Sequence, residues 1–212
     1  MNRAFIAFFL IFSTLSIYPQ VIFYSDDPVL LSSQFYHEGK YDVAIKECEK
    51  EIAADENNID SHITLTLSYI ALKDYAKAYT ASQRGRKVQQ YHPRLIEMQA
   101  ISCYHLGRNI ESLNLLQTYL SYTSQEKDVS EIYYYMGEIY LRLSQYHHAD
   151  IALTTAVSIR PFEVSWWTRL GYVREKSKTY KYSLEAYQKA LSFDNNYSDA
   201  LEGKRRVLSM LR

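Results

Sequence analysis

The chain has 212 residues, which is enough for one domain with its own core, so folding requires neither disulfides nor a structural metal. Its 24 lysine and arginine residues balance 24 aspartate and glutamate residues, which removes the net-charge argument for nucleic acid or an anionic membrane as a partner. The 21 tyrosines, together with only 6 glycines and 4 prolines, predict a chain that is poor in turns and mostly helical.

The first predicted element is an apolar N-terminal segment. It carries one charge, at Arg3, before an uncharged run from Ala4 to Ile17, which is the layout of a secretory signal peptide. Counting on to Tyr24 gives about 20 mostly apolar residues, close to the length that spans a bilayer. We therefore expect residues 1–24 to be a cleaved signal peptide or an uncleaved membrane anchor, with a buried helix as a third alternative. The first two place the rest of the chain in a periplasm or cell envelope.

A repeated segment organises the chain beyond this point. The sequence "GKYDVAI", which begins at Gly39, recurs as "KDYAKAY", "GRNIESL", "SQYHHAD" and "KTYKYSL". Three additional residues in the third repeat lie in the polar stretch from Ser124 to Asp128, where a loop can accommodate them. The third residues are Tyr41, Tyr75, Asn109, Tyr146 and Tyr180, and the sixth are Ala44, Ala78, Ser112, Ala149 and Ser183, both with spacings of 34, 34, 37 and 34.

A 34-residue unit with this pattern resembles the tetratricopeptide repeat (TPR), a helix–turn–helix unit. The resemblance implies an all-α fold, an αα-superhelix in which a C-terminal helix caps a TPR solenoid. The expected repeats are about 25–58, 59–92, 93–129, 130–163 and 164–197, followed by a cap at 198–212 whose Leu201, Leu208 and Leu211 cover the last apolar face. The fourth copy has the most motif residues: Tyr133, Met136, Gly137, Tyr140, Ala149, Leu153, Ala156 and Pro161.

The first helices of such hairpins line a concave wall, where repeat proteins bind their ligands. Tyrosines on this wall offer a large contact area at a small entropy cost, and Arg142, Arg169 and Lys176 are suited to holding a carboxylate. The alternative is that some of these residues pack against a neighbouring hairpin. The predicted peptide-binding residues are Tyr36, Leu67, Met98, Ile101, Tyr104, Tyr134, Tyr135, Arg142, Arg169 and Tyr172, and the same wall is expected to include His37, Ile63, Ile70, His105 and Glu138.

The sequence contains none of the local motifs of catalysis or metal binding. It has no glycine-rich phosphate loop, HExxH or GxSxG, and Cys48 and Cys103 are expected to be small buried side chains. We therefore expect a non-enzymatic adaptor or scaffold without cofactor or metal, whose partner is a protein or peptide and not nucleic acid. One alternative is a membrane-anchored structural subunit of an envelope complex. A second, less favoured, is a metal-dependent enzyme.

The metal alternative rests on His147, His148 and Asp150. The two histidines align with unrelated residues in the other repeats, and neighbours on a helix point in different directions, so they are interpreted as helix surface. Asp150 occupies a position that is apolar or aromatic in the other four repeats. We expect its carboxylate to bind a tyrosine hydroxyl or an arginine from an adjacent helix.

Overall fold

A computed structural model describes residues 30–123 and 128–212, and within these residues the chain forms eleven α-helices and no strand. The signal or anchor expected at residues 1–24 lies outside the described residues. Among the described residues, no helix is long and apolar enough to cross a membrane. The helices are α1 (Leu31–His37), α2 (Tyr41–Ala54), α3 (Ile59–Ala71), α4 (Tyr75–Val88), α5 (Pro93–His105), α6 (Asn109–Tyr122), α7 (Ser130–Arg142), α8 (Tyr146–Ile159), α9 (Val164–Lys176), α10 (Tyr180–Phe193) and α11 (Ser198–Met210).

Each odd-numbered helix up to α9 packs against the even-numbered helix that follows it, which gives five hairpins. The first helices of successive hairpins also contact one another, as α1 with α3, α3 with α5, and α5 with α7. The second helices make no comparable contacts with each other in the described part of the chain. The first helices therefore form the inner layer of a curved stack and the second helices its outer layer. This is the all-α solenoid that the repeat predicts.

The turn inside each hairpin has the same backbone conformation. The first residue of every repeated segment has a positive φ, from 59° at Lys73 and Ser144 to 75° at Gly39. This left-handed conformation reverses the chain, and the second helix begins two residues later, at the third residue of the segment. A residue with a Cβ adopts it at a cost of about 1–2 kcal/mol, so the packing of the hairpins must hold Lys73, Ser144 and Lys178 in place.

Small side chains let the helices of a hairpin approach each other. The sixth residue of each repeated segment, always alanine or serine, is fully buried. The hydroxyl groups of Ser112 and Ser183 each donate a hydrogen bond of 2.7 Å to a backbone oxygen of the preceding first helix. On the first helix of the fourth hairpin, a Cβ added at Gly137 would lie 2.6 Å from Cγ of Leu153 on the second helix. The hairpins therefore depend on small residues at these positions.

Helix α11 covers the last hairpin, but with other residues than the sequence predicts. Its buried residues are Ala200, Gly203 and Val207, which lie next to Tyr187. The ring of Tyr187 occupies the space where a Cβ at Gly203 would be. The face of α11 that carries its small residues is therefore the one that packs against the last hairpin. The assignment of the cap to Leu201, Leu208 and Leu211 is wrong, since these side chains are 46%, 41% and 49% exposed.

Both cysteines are fully buried, as expected. Burial raises the pKa of Cys48 and of Cys103 to about 12, so both thiols stay protonated at neutral pH. They contribute as small core side chains.

Candidate functional site

Four aromatic side chains form a continuous row across three successive helices of the inner layer. The ring of Tyr104 on α5 meets that of Tyr135 on α7 edge to face, with centroids 5.0 Å apart. The ring centroids of Tyr135 and Tyr134 are 5.9 Å apart. The Tyr134 ring stacks on Trp166 of α9, with a centroid distance of 5.0 Å and an interplanar angle of 14°. We call Tyr104, Tyr135, Tyr134 and Trp166 the aromatic row. Its three tyrosines are half-buried, so each ring both packs on its neighbours and keeps accessible surface.

The aromatic row continues toward the second hairpin. The ring of His105 lies 5.0 Å from that of Tyr104 and stacks on Tyr75 at 4.0 Å and 10°. Burial, and then the positive charge of Arg142, hold the pKa of His105 below its usual value of 6.5. The imidazole is therefore neutral at pH 7 and extends the row as an aromatic ring rather than as a cation.

Arg142, at the end of α7, places a positive charge at the edge of the row. Its guanidinium carbon lies 3.7 Å from the centroid of the Tyr104 ring, and its Nη1 donates a 2.7 Å hydrogen bond to the backbone oxygen of Tyr104. These contacts fix the orientation of the guanidinium. Arg142 has no carboxylate within ion-pair distance in the described part of the chain. Its charge is thus available to a ligand.

Arg169 has a different role from Arg142. Its Nε and Nη2 donate to the two carboxylate oxygens of Glu138 at 2.6 and 2.7 Å, and the Glu138 side chain is only 8% exposed. Burial lowers the pKa of Arg169, but the hydrogen bonds that it donates to Glu138, together with the negative charge of Glu138, outweigh this effect and the net direction is upward. The pair is internally neutralised, so Arg169 is less suited to hold a ligand carboxylate than the sequence suggests.

The hydroxyl groups of the row are protonated at neutral pH. Burial, followed by the negative charge of Glu138, raises the pKa of Tyr104 and Tyr134. Burial, followed by the charge of Glu131, raises the pKa of Tyr135 to about 12. Each hydroxyl can therefore donate a hydrogen bond to a carbonyl or carboxylate that lies on the row.

Residues 130–163, which contain Tyr134, Tyr135 and Arg142, match the family model described as tetratricopeptide repeat. This fourth hairpin is a tetratricopeptide repeat, and the described helices together form a solenoid of the TPR type. No curated protein sequence matches the chain.

Solved structures of TPR proteins have the same fold. MamA from Desulfovibrio magneticus RS-1 is 17% identical with a TM-score of 0.71, covering 79% of this chain and 93% of its own. YrrB, described as a TPR protein with an unusual peptide-binding site, is 15% identical with a TM-score of 0.72, covering 82% and 88%. PilW, described as a widely conserved type IV pilus biogenesis factor, is 15% identical with a TM-score of 0.69, covering 85% and 89%. At these levels of sequence identity, the similarity establishes a shared fold and nothing further.

The TPR stack brings only part of the predicted binding set together. Tyr104, Tyr134, Tyr135 and Arg142 form one cluster, with Ile101 half-buried one turn away from Tyr104 on α5. At the far side, Tyr172 of α9 lies under two cations, with the guanidinium carbon of Arg169 at 5.4 Å and Nζ of Lys176 at 5.1 Å.

Other predicted residues lie apart from this cluster or beneath the surface. The ring of Tyr36, on α1, packs on those of His37 and Tyr41 of its own hairpin, with centroid distances of 5.5 and 5.6 Å. Met98 is only 3% exposed, and Leu67 packs against the apolar cluster to which Met98 belongs. Met98 therefore supports the wall from beneath, and its assignment as a ligand-contacting side chain needs this correction. Ile63 and Glu138 are likewise buried, at 7% and 6% exposure.

Trp166 is not among the residues that the sequence predicts for the groove, and its neighbour Trp167 has a different environment. In the structure, Nε1 of Trp167 donates a 2.8 Å hydrogen bond to the backbone oxygen of Pro161. Adjacent residues on a helix point about 100° apart, so two successive tryptophans cannot both serve one core position. That doublet was the signal that could have identified Trp166.

The histidine pair does not form a metal site with Asp150. The rings of His147 and His148 are 6.1 Å apart and inclined at 71°. Oδ1 of Asp150 instead accepts a 2.6 Å hydrogen bond from Nε of Arg174 on the adjacent helix α9, which confirms the predicted arginine partner. Within residues 30–123 and 128–212, no three histidine, cysteine or acidic side chains are grouped so that they could hold a metal ion.

Proposed function

We propose that this TPR protein is a non-enzymatic adaptor of the cell envelope that binds an extended protein segment along the aromatic row of its concave groove. The observation that carries the proposal is the continuity of the row across α5, α7 and α9, with Arg142 at its edge and no carboxylate partner for Arg142 among the described residues. Half-buried tyrosines are already ordered by their neighbours, so a ligand gains contact area with little further loss of rotamer freedom.

The geometry favours a segment with apolar or aromatic side chains and at least one carboxylate. The rings of Tyr104, Tyr134 and Tyr135 offer flat apolar surface together with hydroxyl donors. A carboxylate near Tyr104 can accept two parallel hydrogen bonds from a guanidinium such as that of Arg142. Because the row crosses three helices, an extended segment makes better use of it than a compact ligand does.

Two structural neighbours support this proposal by analogy. The description of YrrB includes a peptide-binding site, and that of PilW a role in type IV pilus biogenesis. The apolar segment from Ala4 to Ile17 supports export, because it has the layout of a signal peptide or an anchor.

Site-specific photocrosslinking tests the groove directly. A photoreactive phenylalanine analogue placed at Tyr135 faces the ligand path, whereas the same analogue at Tyr182, which is 56% exposed on the outer helix α10, does not. We expect one defined segment of a partner protein to be captured from position 135 and not from position 182. Equal capture from both positions, or capture from 182 alone, contradicts the groove.

A second hypothesis, that the chain is a membrane-anchored structural subunit, rests on the N-terminal segment. Mass spectrometry of the mature N-terminus in its native envelope distinguishes the two. A start near residue 17 or 26 rules out the anchor, whereas an intact Met1 supports it.

A further inference from the structure

A second surface of different chemistry lies on the outer layer, around helix α4. It is an open cleft of about 580 Å³ that no predicted binding residue lines. Its lining contains no acidic residue. It includes three cations and three glutamines, namely Arg84, Arg86, Lys87, Gln83, Gln90 and Gln99. We call these six residues the basic cleft.

Arg86 is held in a fixed orientation within the basic cleft. Its Nε donates a 3.0 Å hydrogen bond to the backbone oxygen of Gln90, and its Nη1 donates to Oε1 of Gln99. Gln99, on α5, is only 4% exposed, so its amide is a fixed part of the cleft floor. A guanidinium positioned in this way loses little side-chain entropy when an anion binds, since its rotamer is already set.

The positive charge of the cleft is only partly compensated. Arg84 is paired with Glu49 of α2, with Nη1 3.0 Å from Oε1. Neither Arg86 nor Lys87 has a carboxylate within ion-pair distance in the described residues. Two uncompensated cations in one concavity are a local feature that the zero net charge of the chain conceals.

We propose that the basic cleft binds a carboxylate-rich segment of a partner protein. Arg86 and Lys87 match its carboxylates, and the amides of Gln83 and Gln90 can hydrogen-bond its backbone. Apart from Gln99 on α5, the residues of the basic cleft lie on α4 or directly after it, and none belongs to the aromatic row, so the two surfaces can be occupied at the same time. The protein then joins two partners, of which one is recognised through rings and the other through charge.

The test uses a fluorescein-labelled peptide of eight glutamates and a peptide of eight glutamines as its neutral counterpart, measured by fluorescence anisotropy with the full chain. Arg86→Gln/Lys87→Gln removes the two uncompensated charges of the cleft. Lys181→Gln/Lys189→Gln removes the same net charge from exposed positions of α10 and serves as the matched control. Thermal unfolding of all variants shows that each is folded.

We expect the glutamate peptide to bind and the glutamine peptide not to bind. Affinity should fall by about tenfold or more in the Arg86→Gln/Lys87→Gln variant, and by less than about twofold in the α10 control. An Arg142→Gln variant, which removes the carboxylate-binding group of the groove, should bind the glutamate peptide as the unaltered chain does, and this separates the basic cleft from the groove. Equal losses in the cleft variant and the α10 control would overturn the proposal, as would the absence of binding. Tighter binding of a single-stranded oligonucleotide than of the glutamate peptide would overturn it in favour of nucleic acid.

Discussion

The inner layer contains two regions that share one helical architecture and differ in what they expose. On α3 and in the first turns of α5, Ile63 and Met98 are buried in an apolar cluster against which Leu67 packs, so this early wall is a closed apolar surface. At the end of α5 and on α7, Tyr104, Tyr134 and Tyr135 remain half-buried. Aliphatic side chains are short enough to be covered by their neighbours, whereas a tyrosine ring with a polar tip keeps one end accessible. The same position on a first helix therefore gives stability in one region and a recognition surface in the other.

The largest effect that separates the two regions should come from Met98→Ala. Removing this buried side chain leaves a cavity, and we expect a loss of about 2–5 kcal/mol in the free energy of unfolding. Denaturant titration measures it. The folded variant should bind the groove ligand with unchanged affinity. A tenfold loss of affinity, measured under conditions in which the variant is fully folded, would show that the early wall takes part in recognition.

Arg169→Gln should have the next largest effect, because it leaves the buried carboxylate of Glu138 without its partner. We expect a destabilisation of about 2–3 kcal/mol, at or below the low end for a buried pair since the Arg169 side chain is 37% exposed. The double variant Glu138→Gln/Arg169→Gln should recover part of this loss in thermal unfolding. If the single and double variants are equally destabilised, the unpaired carboxylate of Glu138 is not the cause of the stability loss in Arg169→Gln.

Arg142→Gln should change binding rather than folding. The guanidinium has no carboxylate partner in the described chain, but it contacts the Tyr104 ring and backbone oxygen, so we expect a loss of only about 1 kcal/mol in stability. Affinity for a groove peptide that contains a carboxylate should fall about tenfold, and affinity for the same peptide with the carboxylate amidated should not. Equal losses for both peptides would contradict the role of Arg142 as the carboxylate-binding group.

The last effect, which appears only at alkaline pH, is the part of the pH dependence of stability that Tyr135 contributes. The pKa of Tyr135 is raised from its ordinary value of 10.0 to about 12 in the folded chain, chiefly by burial. The neutral phenol is favoured by folding, so its contribution is fully present below pH 10 and is lost as the pH rises toward 12. Tyr135→Phe should reduce the fall in stability over this window, as measured by urea unfolding at a series of pH values. Met98→Leu, in the early wall, should leave the slope unchanged.

The repeat spacing predicted the architecture because each repeated segment carries its own turn and its own small buried residue. Tyr41, Tyr75, Asn109, Tyr146 and Tyr180, the third residues of the segments, each begin a second helix. The partner of Asp150 was predictable in kind, since a carboxylate in an apolar position needs a hydrogen-bond donor, and Arg174 provides it.

What the spacing did not predict is the depth to which each side chain is buried. The offset around a helix gives the direction of a residue, but burial depends on the size of the residues that face it across the next hairpin. Met98 and Glu138 point to the inner layer and are nonetheless covered. On α11, the ring of Tyr187 selects the face with Gly203, and Leu201 is left exposed. The aromatic row depends on contacts between three hairpins, which no local pattern encodes.

The most direct measurement of the central claim is the affinity of the segment captured at position 135. A synthetic peptide of that sequence is titrated against the unaltered chain, the Tyr104→Ala/Tyr134→Ala/Tyr135→Ala variant and the outer-surface control Tyr182→Ala, with circular dichroism to verify folding. We predict that the triple variant loses at least about tenfold in affinity while the control stays within about twofold. Unchanged affinity in a folded triple variant would contradict the assignment of the aromatic row as the binding surface.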